Sequence, residues 1–173
     1  MTEILYYPDN EYLKEFDATV EKVDEEDGYL VLDRTLFYKQ GGGQPADHGT
    51  ITWSDGETEV EDVQKEHGEI RHYVDGDLPE EGDEVHGRID WDRRYRHMKM
   101  HTAQHIVSKV VLDIYGASTA GNQVHADRSR IDFEPANFDE QDLKKIQEEA
   151  NRVIEEDIEL SKSEVPREDL EEE

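Results

Sequence analysis

The hydrophobic period of this chain changes near Asp90, and this change constrains the fold more than any other feature of the sequence. Before it, apolar and polar residues alternate in short runs, which is the pattern of half-buried strands. After it, apolar residues recur at helical spacing from Ala103 to Ile114. The sequence therefore predicts an α+β fold, with a β-rich part over residues 1–90 followed by an α+β part over residues 91–173.

Short strands at regular spacing predict that the first part is a small antiparallel β-barrel. Residues 15–23 and 29–33 flank an acidic turn that ends at Gly28, and a second hairpin surrounds residues 54–56. Further strand-like runs cover residues 35–38, 59–63, 69–74 and 84–89.

The sequence of the second part predicts two amphipathic helices separated by extended segments. The first covers residues 93–115, with Asp90 or Asp92 as its N-cap and Gly116 at its end. The second covers residues 138–158. Its expected buried side is Leu143, Ile146, Ala150, Val153 and Ile154. Residues 117–124 fit a strand or a loop, and strands are expected at 130–133 and 160–165, before an acidic end at 166–173.

The charge and the cysteine content of the chain limit the solvent conditions and the reaction types that it fits. The chain has 46 acidic and 19 basic residues, for a net charge of −27. A uniform acid coat predicts a protein adapted to strong salt, as in a halophile. With no cysteine, neither a disulfide nor a thiolate nucleophile is possible. The sequence shows no signal peptide and no membrane-spanning run, so the expected compartment is the cytoplasm.

Positive charge is concentrated in one stretch of this acidic chain. Residues 86–130 hold eight basic and four acidic residues. Such a stretch favours contact with phosphates. Arg88 and Arg130 are expected to pair with nearby acids. The predicted RNA-binding residues are Arg93, Arg94, Arg96 and Lys99.

Two histidines stand four residues apart in the first helix. His101 and His105 then project from one face, one turn apart, and can bind a single Zn²⁺. The spacing alone also fits two incidental histidines on a β-barrel scaffold. Because Thr102, Ala103 and Gln104 separate them, the glutamate of the metalloprotease motif is absent and that class is disfavoured.

Three ordered motifs resemble the editing domains of alanyl-tRNA synthetases and the related AlaX trans-editing proteins. They are TLFYKQGGGQPADHGTI at 35–51, DRRYRHMKMHTAQHI at 92–106 and GNQVHADRSRIDF at 121–133. The resemblance implies a β-barrel-like subdomain followed by an α+β editing subdomain. It also implies a hydrolase that removes serine, or glycine, from mischarged alanine-specific tRNA.

The resemblance implies that His101 and His105 bind zinc. The family's second zinc motif, Cys-x-x-x-His, has no counterpart here, so the editing subdomain is expected to be truncated, as a fragment or a shortened form. His97, one turn before His101, is a disfavoured substitute. The alternative function is therefore a catalytically incomplete, editing-like module that binds RNA.

The remaining site predictions concern the substrate. The glycine-rich loop is expected beside the amino-acid pocket, where its polar contact is Gln44. The general base is not identified, and His125 and Asp127 are taken as ordinary loop residues. Gln104 is expected to face water. The predicted substrate-binding residues are Gly42, Gly43, Gln44, Thr102, Thr119 and Asn122.

Overall fold

A computed structural model describes residues 1–7 and 10–161. Most of the predicted strand at 160–165 and the acidic end at 166–173 lie outside the described residues. Within them the strands are β1 (Glu3–Ile4), β2 (Glu15–Asp24), β3 (Tyr29–Leu32), β4 (Arg34–Thr35), β5 (Gly49–Trp53), β6 (Gly56–Glu66), β7 (Glu69–Gly76), β8 (Glu84–Ile89), β9 (Ser118–Val124) and β10 (Ser129–Glu134). The helices are α1 (Trp91–Tyr115) and α2 (Glu140–Glu155).

Six strands close into an antiparallel barrel, which confirms the predicted fold class. Their order around the barrel is β2-β3-β7-β6-β5-β8. Alternation along β2 buries Phe16, Ala18 and Val20 in the barrel core. Phe16 lies opposite Gly87 of β8, where an added Cβ would come within 2.3 Å of the Phe16 ring. The barrel thus depends on a glycine that makes room for this aromatic side chain.

Helix α1 begins directly after the last barrel strand. Asp90 is its N-cap and accepts a hydrogen bond from the Arg93 N–H at 3.0 Å, so Asp90 and not Asp92 caps the helix. Gly116 ends it with φ of 66° and donates to the Leu112 carbonyl. The change of hydrophobic period is therefore the passage from barrel to helix. The division into domains at residue 90 stays a prediction.

The second layer is a hairpin of β9 and β10 with α2 packed against α1. Its buried core contains Val110, Val111, Ala117 and Ile146. The predicted buried side of α2 is too wide, because Leu143 and Ile154 are 56% and 52% exposed. Ile146 and Ala150 alone are fully buried on α2. Neither of the two described helices has the length and apolar character needed to cross a membrane.

Candidate functional site

The glycine-rich loop after β4 is a tightly closed structure. Gly41 and Gln44 exchange two backbone hydrogen bonds, at 3.1 and 3.0 Å. The Asp47 carboxylate accepts from the Tyr38 N–H at 2.9 Å, and the Asp47 N–H donates to the Tyr38 carbonyl at 3.0 Å. These paired bonds join the two sides of the loop and hold it in one shape.

Arg94 fastens this loop to α1 from inside the protein. It is 2% exposed and forms a charged pair with Asp47, which is fully buried. The same guanidinium donates to the Leu36 carbonyl at 2.7 Å and to the Glu11 carbonyl at 3.3 Å. A buried, fully engaged guanidinium cannot reach a phosphate. The prediction that Arg94 binds RNA is therefore wrong, and its role is to position the loop.

The tip of the loop packs against β9. Gly43 has φ of +80°, and its carbonyl accepts from the Val124 N–H at 2.7 Å. An added Cβ at Gly43 would lie 1.9 Å from the Asn122 Oδ1 atom. Only glycine meets both requirements, a left-handed backbone and close contact with a neighbouring strand. Gly43 and Asn122 are thus brought together, and their role in binding the substrate stays a prediction.

Gln44 holds the first histidine of the predicted metal pair. The His101 Nδ1 atom lies 2.9 Å from the Gln44 Oε1 atom. Because an amide oxygen only accepts, the Nδ1 atom carries the proton and the Nε2 atom keeps its lone pair. Gly42 lies beside the same ring, since a Cβ added there would be 3.6 Å from the His101 Cε1 atom. The loop therefore selects both the tautomer and the orientation of His101.

The two histidine rings lie next to each other on α1. Their centroids are 5.1 Å apart and their planes differ by 12°. Partial burial, together with the neighbouring His105, holds the pKa of His101 below its usual value of 6.5. His101 therefore favours the neutral imidazole, the form that binds metal ions.

A polar network lies beside this pair and connects α1 to β9. The Gln104 Nε2 atom donates to the Ser108 hydroxyl at 2.9 Å, and the Thr119 hydroxyl donates to Ser108 at 2.8 Å. Asn122 donates to the Gln104 Oε1 atom at 3.3 Å. Gln104 is 4% exposed, so the expectation that it faces water is wrong. Sequence reasoning also missed Ser108, which has no motif of its own.

A mainly apolar groove of about 380 Å³ runs between α1 and α2 and reaches His105. Thr102 and His105 lie at one end of it, with Ile106 and Val110 along its floor. Thr102 thus shares a surface with His105, whereas Thr119 and Asn122 lie on the β9 side of the helix. His125 and Asp127 are exposed loop residues, as expected.

The predicted RNA-binding residues other than Arg94 differ in accessibility. Arg93 is partly buried and donates to the Ala46 carbonyl at 3.1 Å. Arg96 and Lys99 are exposed. Of the two arginines expected to pair with acids, Arg130 forms an ion pair with Asp132 at 2.9 Å. Arg88 has no ion pair among the described residues.

Comparison with known proteins identifies the family. A family model described as class II (A) tRNA synthetases matches residues 3–93. Across 99% of the chain, the sequence is 46% identical to the alanyl-tRNA editing protein AlaX-M of Methanosarcina acetivorans and covers 73% of that protein. The chain belongs to the AlaX family.

Other relatives share only part of their length with this AlaX-family chain. It is 48% identical to AlaX-M of Methanosarcina barkeri over 89% of its own length, but it spans just under two thirds (65%) of that relative. It is 39% identical to the alanine–tRNA ligase of Methanopyrus kandleri and covers 19% of that protein.

The zinc centre that the AlaX resemblance implies stays a prediction, and the histidine pair fits only part of it. A ligating histidine usually donates its second ring N–H to an oxygen acceptor, and Gln44 is such an acceptor for His101. Catalytic zinc normally has three protein ligands. The described residues contain no group of three or more acidic, cysteine or histidine side chains that could hold a metal. His97 is therefore no third ligand, and it is 1% exposed with an unpartnered Nδ1 atom.

Proposed function

We propose that this chain carries the editing site of an aminoacyl-tRNA hydrolase that removes serine, or glycine, from mischarged alanine-specific tRNA. The relatives that it matches are named as alanyl-tRNA editing proteins. In the reaction, water adds to the ester carbonyl and the bond from that carbon to the ribose oxygen breaks. The ribose oxygen takes up a proton, so the products are the free amino acid and intact tRNA.

The contact between Gln44 and His101 carries this proposal. It leaves the His101 Nε2 lone pair available beside His105, on a surface that also presents Thr102. A bound Zn²⁺ would supply a Lewis acid for the ester carbonyl or a more acidic water. His101 and His105 would hold it, with further ligands from outside the described residues. The chain's own contribution is to fix the His101 ring before the substrate arrives.

The polar network supports selectivity for serine over alanine. Thr119 and Asn122 present hydrogen-bonding groups that Ser108 and Gln104 hold in place. A serine hydroxyl can pair with the donors and acceptors that these groups still have free, whereas an alanine methyl can pair with none of them. Sites of this kind reject the analogue that lacks the hydroxyl. Glycine would have to be accepted for its small size.

A second candidate function is RNA binding without catalysis. It is favoured by one observation, that the described residues offer two imidazoles and no third ligand. This module would bind the acceptor end of tRNA through Arg93, Arg96 and Lys99 but would not hydrolyse the ester.

Deacylation of seryl-tRNA(Ala), measured together with zinc content, separates the two functions. We expect His101→Ala to lose both bound zinc and hydrolysis, because one of the two available imidazoles is gone. His67→Asn is the matched control, since His67 is an exposed histidine in the β6–β7 turn. RNA binding by the wild type without hydrolysis, with zinc supplied, would select the second function. Full turnover by His101→Ala would reject His101 as a ligand.

A further inference from the structure

Three aromatic rings form a ladder on the surface where the barrel meets α1. The Tyr12 and Trp91 rings lie 5.7 Å apart, and Trp91 stacks on Tyr95 at 5.6 Å with planes 15° apart. Lys14 lies 5.0 Å from the Trp91 ring, and Lys99 lies 4.6 Å from the Tyr95 ring. Tyr12 is 66% exposed and Tyr95 is 40% exposed. This aromatic ladder therefore presents ring surface and positive charge to solvent.

The ladder is held in place by the backbone. The Ile89 N–H donates to the Lys14 carbonyl at 2.9 Å, and Arg94 donates to the Glu11 carbonyl. Trp91 also packs against the barrel core. The segment that carries Tyr12 and Lys14 is thus fixed beside α1. Rings that are already ordered lose little conformational freedom when a flat ligand stacks on them.

Three exposed cations lie along the ladder, on a surface that also carries the exposed Glu15, Asp90 and Asp92. Lys14, Arg96 and Lys99 are exposed, and no carboxylate of the described residues lies within 4.0 Å of any of them. Asp92 is the one acidic residue between Trp91 and Lys99 in a chain of net charge −27. Exposed rings interleaved with unpaired cations are the combination that binds single-stranded nucleic acid, in which bases stack and phosphates meet the cations.

The ladder also leads toward the histidine pair. Trp91, Tyr95, Met98, Thr102 and His105 follow one another at intervals of four and three residues, so they form a single stripe along α1. From Tyr95 to His105 the distance along the helix axis is about 15 Å. A strand of RNA that lies on the ladder would therefore point along the stripe to the groove that Thr102 and His105 line.

We infer that the aromatic ladder binds the unpaired 3′ end of tRNA. A base stacks on the outer face of Tyr12, and a second base stacks on Tyr95 when Lys99 moves from that ring onto a phosphate. Lys14 and Arg96 contact the neighbouring phosphates. Since every base has a flat face, this contact does not depend on base identity. The inference rests on the proposed function, because it places the charged end of the RNA at the editing site.

The test uses the full chain and two fluorescent RNA probes of equal length, one single-stranded and one a blunt duplex. We expect Tyr95→Ala to weaken binding of the single strand about tenfold and to leave the duplex little affected. Tyr95→Phe keeps the ring and should bind as the wild type does. Tyr7→Ala is the control, since Tyr7 is 55% exposed and has no ring partner among the described residues.

Salt dependence separates stacking from charge. On a plot of log affinity against log salt, Lys99→Ala should lower the slope by about 0.7, whereas Tyr95→Ala should leave the slope unchanged. Wild-type affinity for the single strand in both Tyr12→Ala and Tyr95→Ala would overturn the inference. If those variants also hydrolyse seryl-tRNA(Ala) normally, the proposed function stands without the ladder. A wild type that neither binds nor hydrolyses tRNA would remove both proposals.

Discussion

The Gln44 side chain, from a loop of the barrel, orients the His101 imidazole of α1 through a 2.9 Å contact between its Oε1 atom and the ring Nδ1 atom. The two residues are 57 positions apart in the chain. Because Gln44 is 4% exposed, water cannot readily take over this contact. The availability of the His101 Nε2 lone pair therefore depends on the barrel.

Replacing Gln44 by alanine should weaken zinc binding by about 10–100-fold, the usual effect of removing an orienting partner of a ligating histidine. Gln44→Glu, which keeps the acceptor oxygen, should retain most of the affinity. Competition with a chromophoric chelator measures the difference, and the thermal unfolding midpoint checks that both variants fold. Equal zinc affinity in Gln44→Ala and the wild type would show that the contact does not prepare the ring.

Gly43→Ala should destabilise the protein by more than Gly42→Ala does. Both positions have positive φ, of +80° and +60°, which costs an L-residue about 1 kcal/mol. Only at Gly43 would the new Cβ collide with Asn122, because the nearest atom to a Cβ at Gly42 is 3.6 Å away. The difference between the free energies of unfolding of the two variants, measured in urea, gives the cost of the contact with Asn122. Equal losses would mean that the loop can move off β9 at no cost.

Arg94→Ala should destabilise the fold by about 3–5 kcal/mol, because it leaves the buried Asp47 carboxylate without its partner. Arg130→Ala removes an exposed ion pair with Asp132 and should cost at most about 1 kcal/mol. Urea unfolding measures both losses. A small loss for Arg94→Ala would contradict the view that this pair fastens the loop to α1.

Acid should destabilise the barrel through His72. This residue is fully buried, and burial lowers its pKa to about 4. Its Nδ1 atom donates to the Leu30 carbonyl at 3.2 Å, and its Nε2 atom accepts from the Thr35 hydroxyl at 2.9 Å. Since the unfolded chain binds the proton more readily, the contribution of His72 is complete above pH 6.5 and is lost as the pH falls toward 4.

The loss from this residue should total about 3 kcal/mol across that window. It is measured as the difference in the free energy of unfolding between the wild type and His72→Gln, as a function of pH. Other groups titrate in the same window, and the subtraction removes them. A constant difference would show that His72 is not the acid-sensitive group.

The acidic surface should make stability depend on salt. With a net charge of −27, repulsion between carboxylates opposes the folded state in dilute buffer, and salt screens it. We expect the thermal midpoint to rise as KCl increases from millimolar to molar concentrations. Full stability in dilute buffer would contradict adaptation to strong salt.

Local patterns in the sequence predict the helices and strands. The contacts between residues far apart in the chain are seen only in the structure. The barrel strands and α1 follow from hydrophobic period and capping, which depend on residues close together in the chain. Burial of Arg94 depends on Asp47, 47 residues away, and no local pattern marks that pair. Gln104 is expected from the sequence to face water, yet β9 covers it through Asn122. The family resemblance placed Gln44 near the pocket, but only coordinates show that it contacts His101.

The contacts of the glycine-rich loop make the orientation of His101 on α1 depend on the folding of the barrel. Asp47, Gln44 and Gly43 each contact a residue that lies beyond the barrel, so the loop is fully fastened only when both regions are present. While the barrel alone has left the ribosome, the Asp47 carboxylate has no Arg94 guanidinium to pair with. Once α1 and β9 have been synthesised, they hold the loop through Arg94 and Val124, and the loop in turn orients His101.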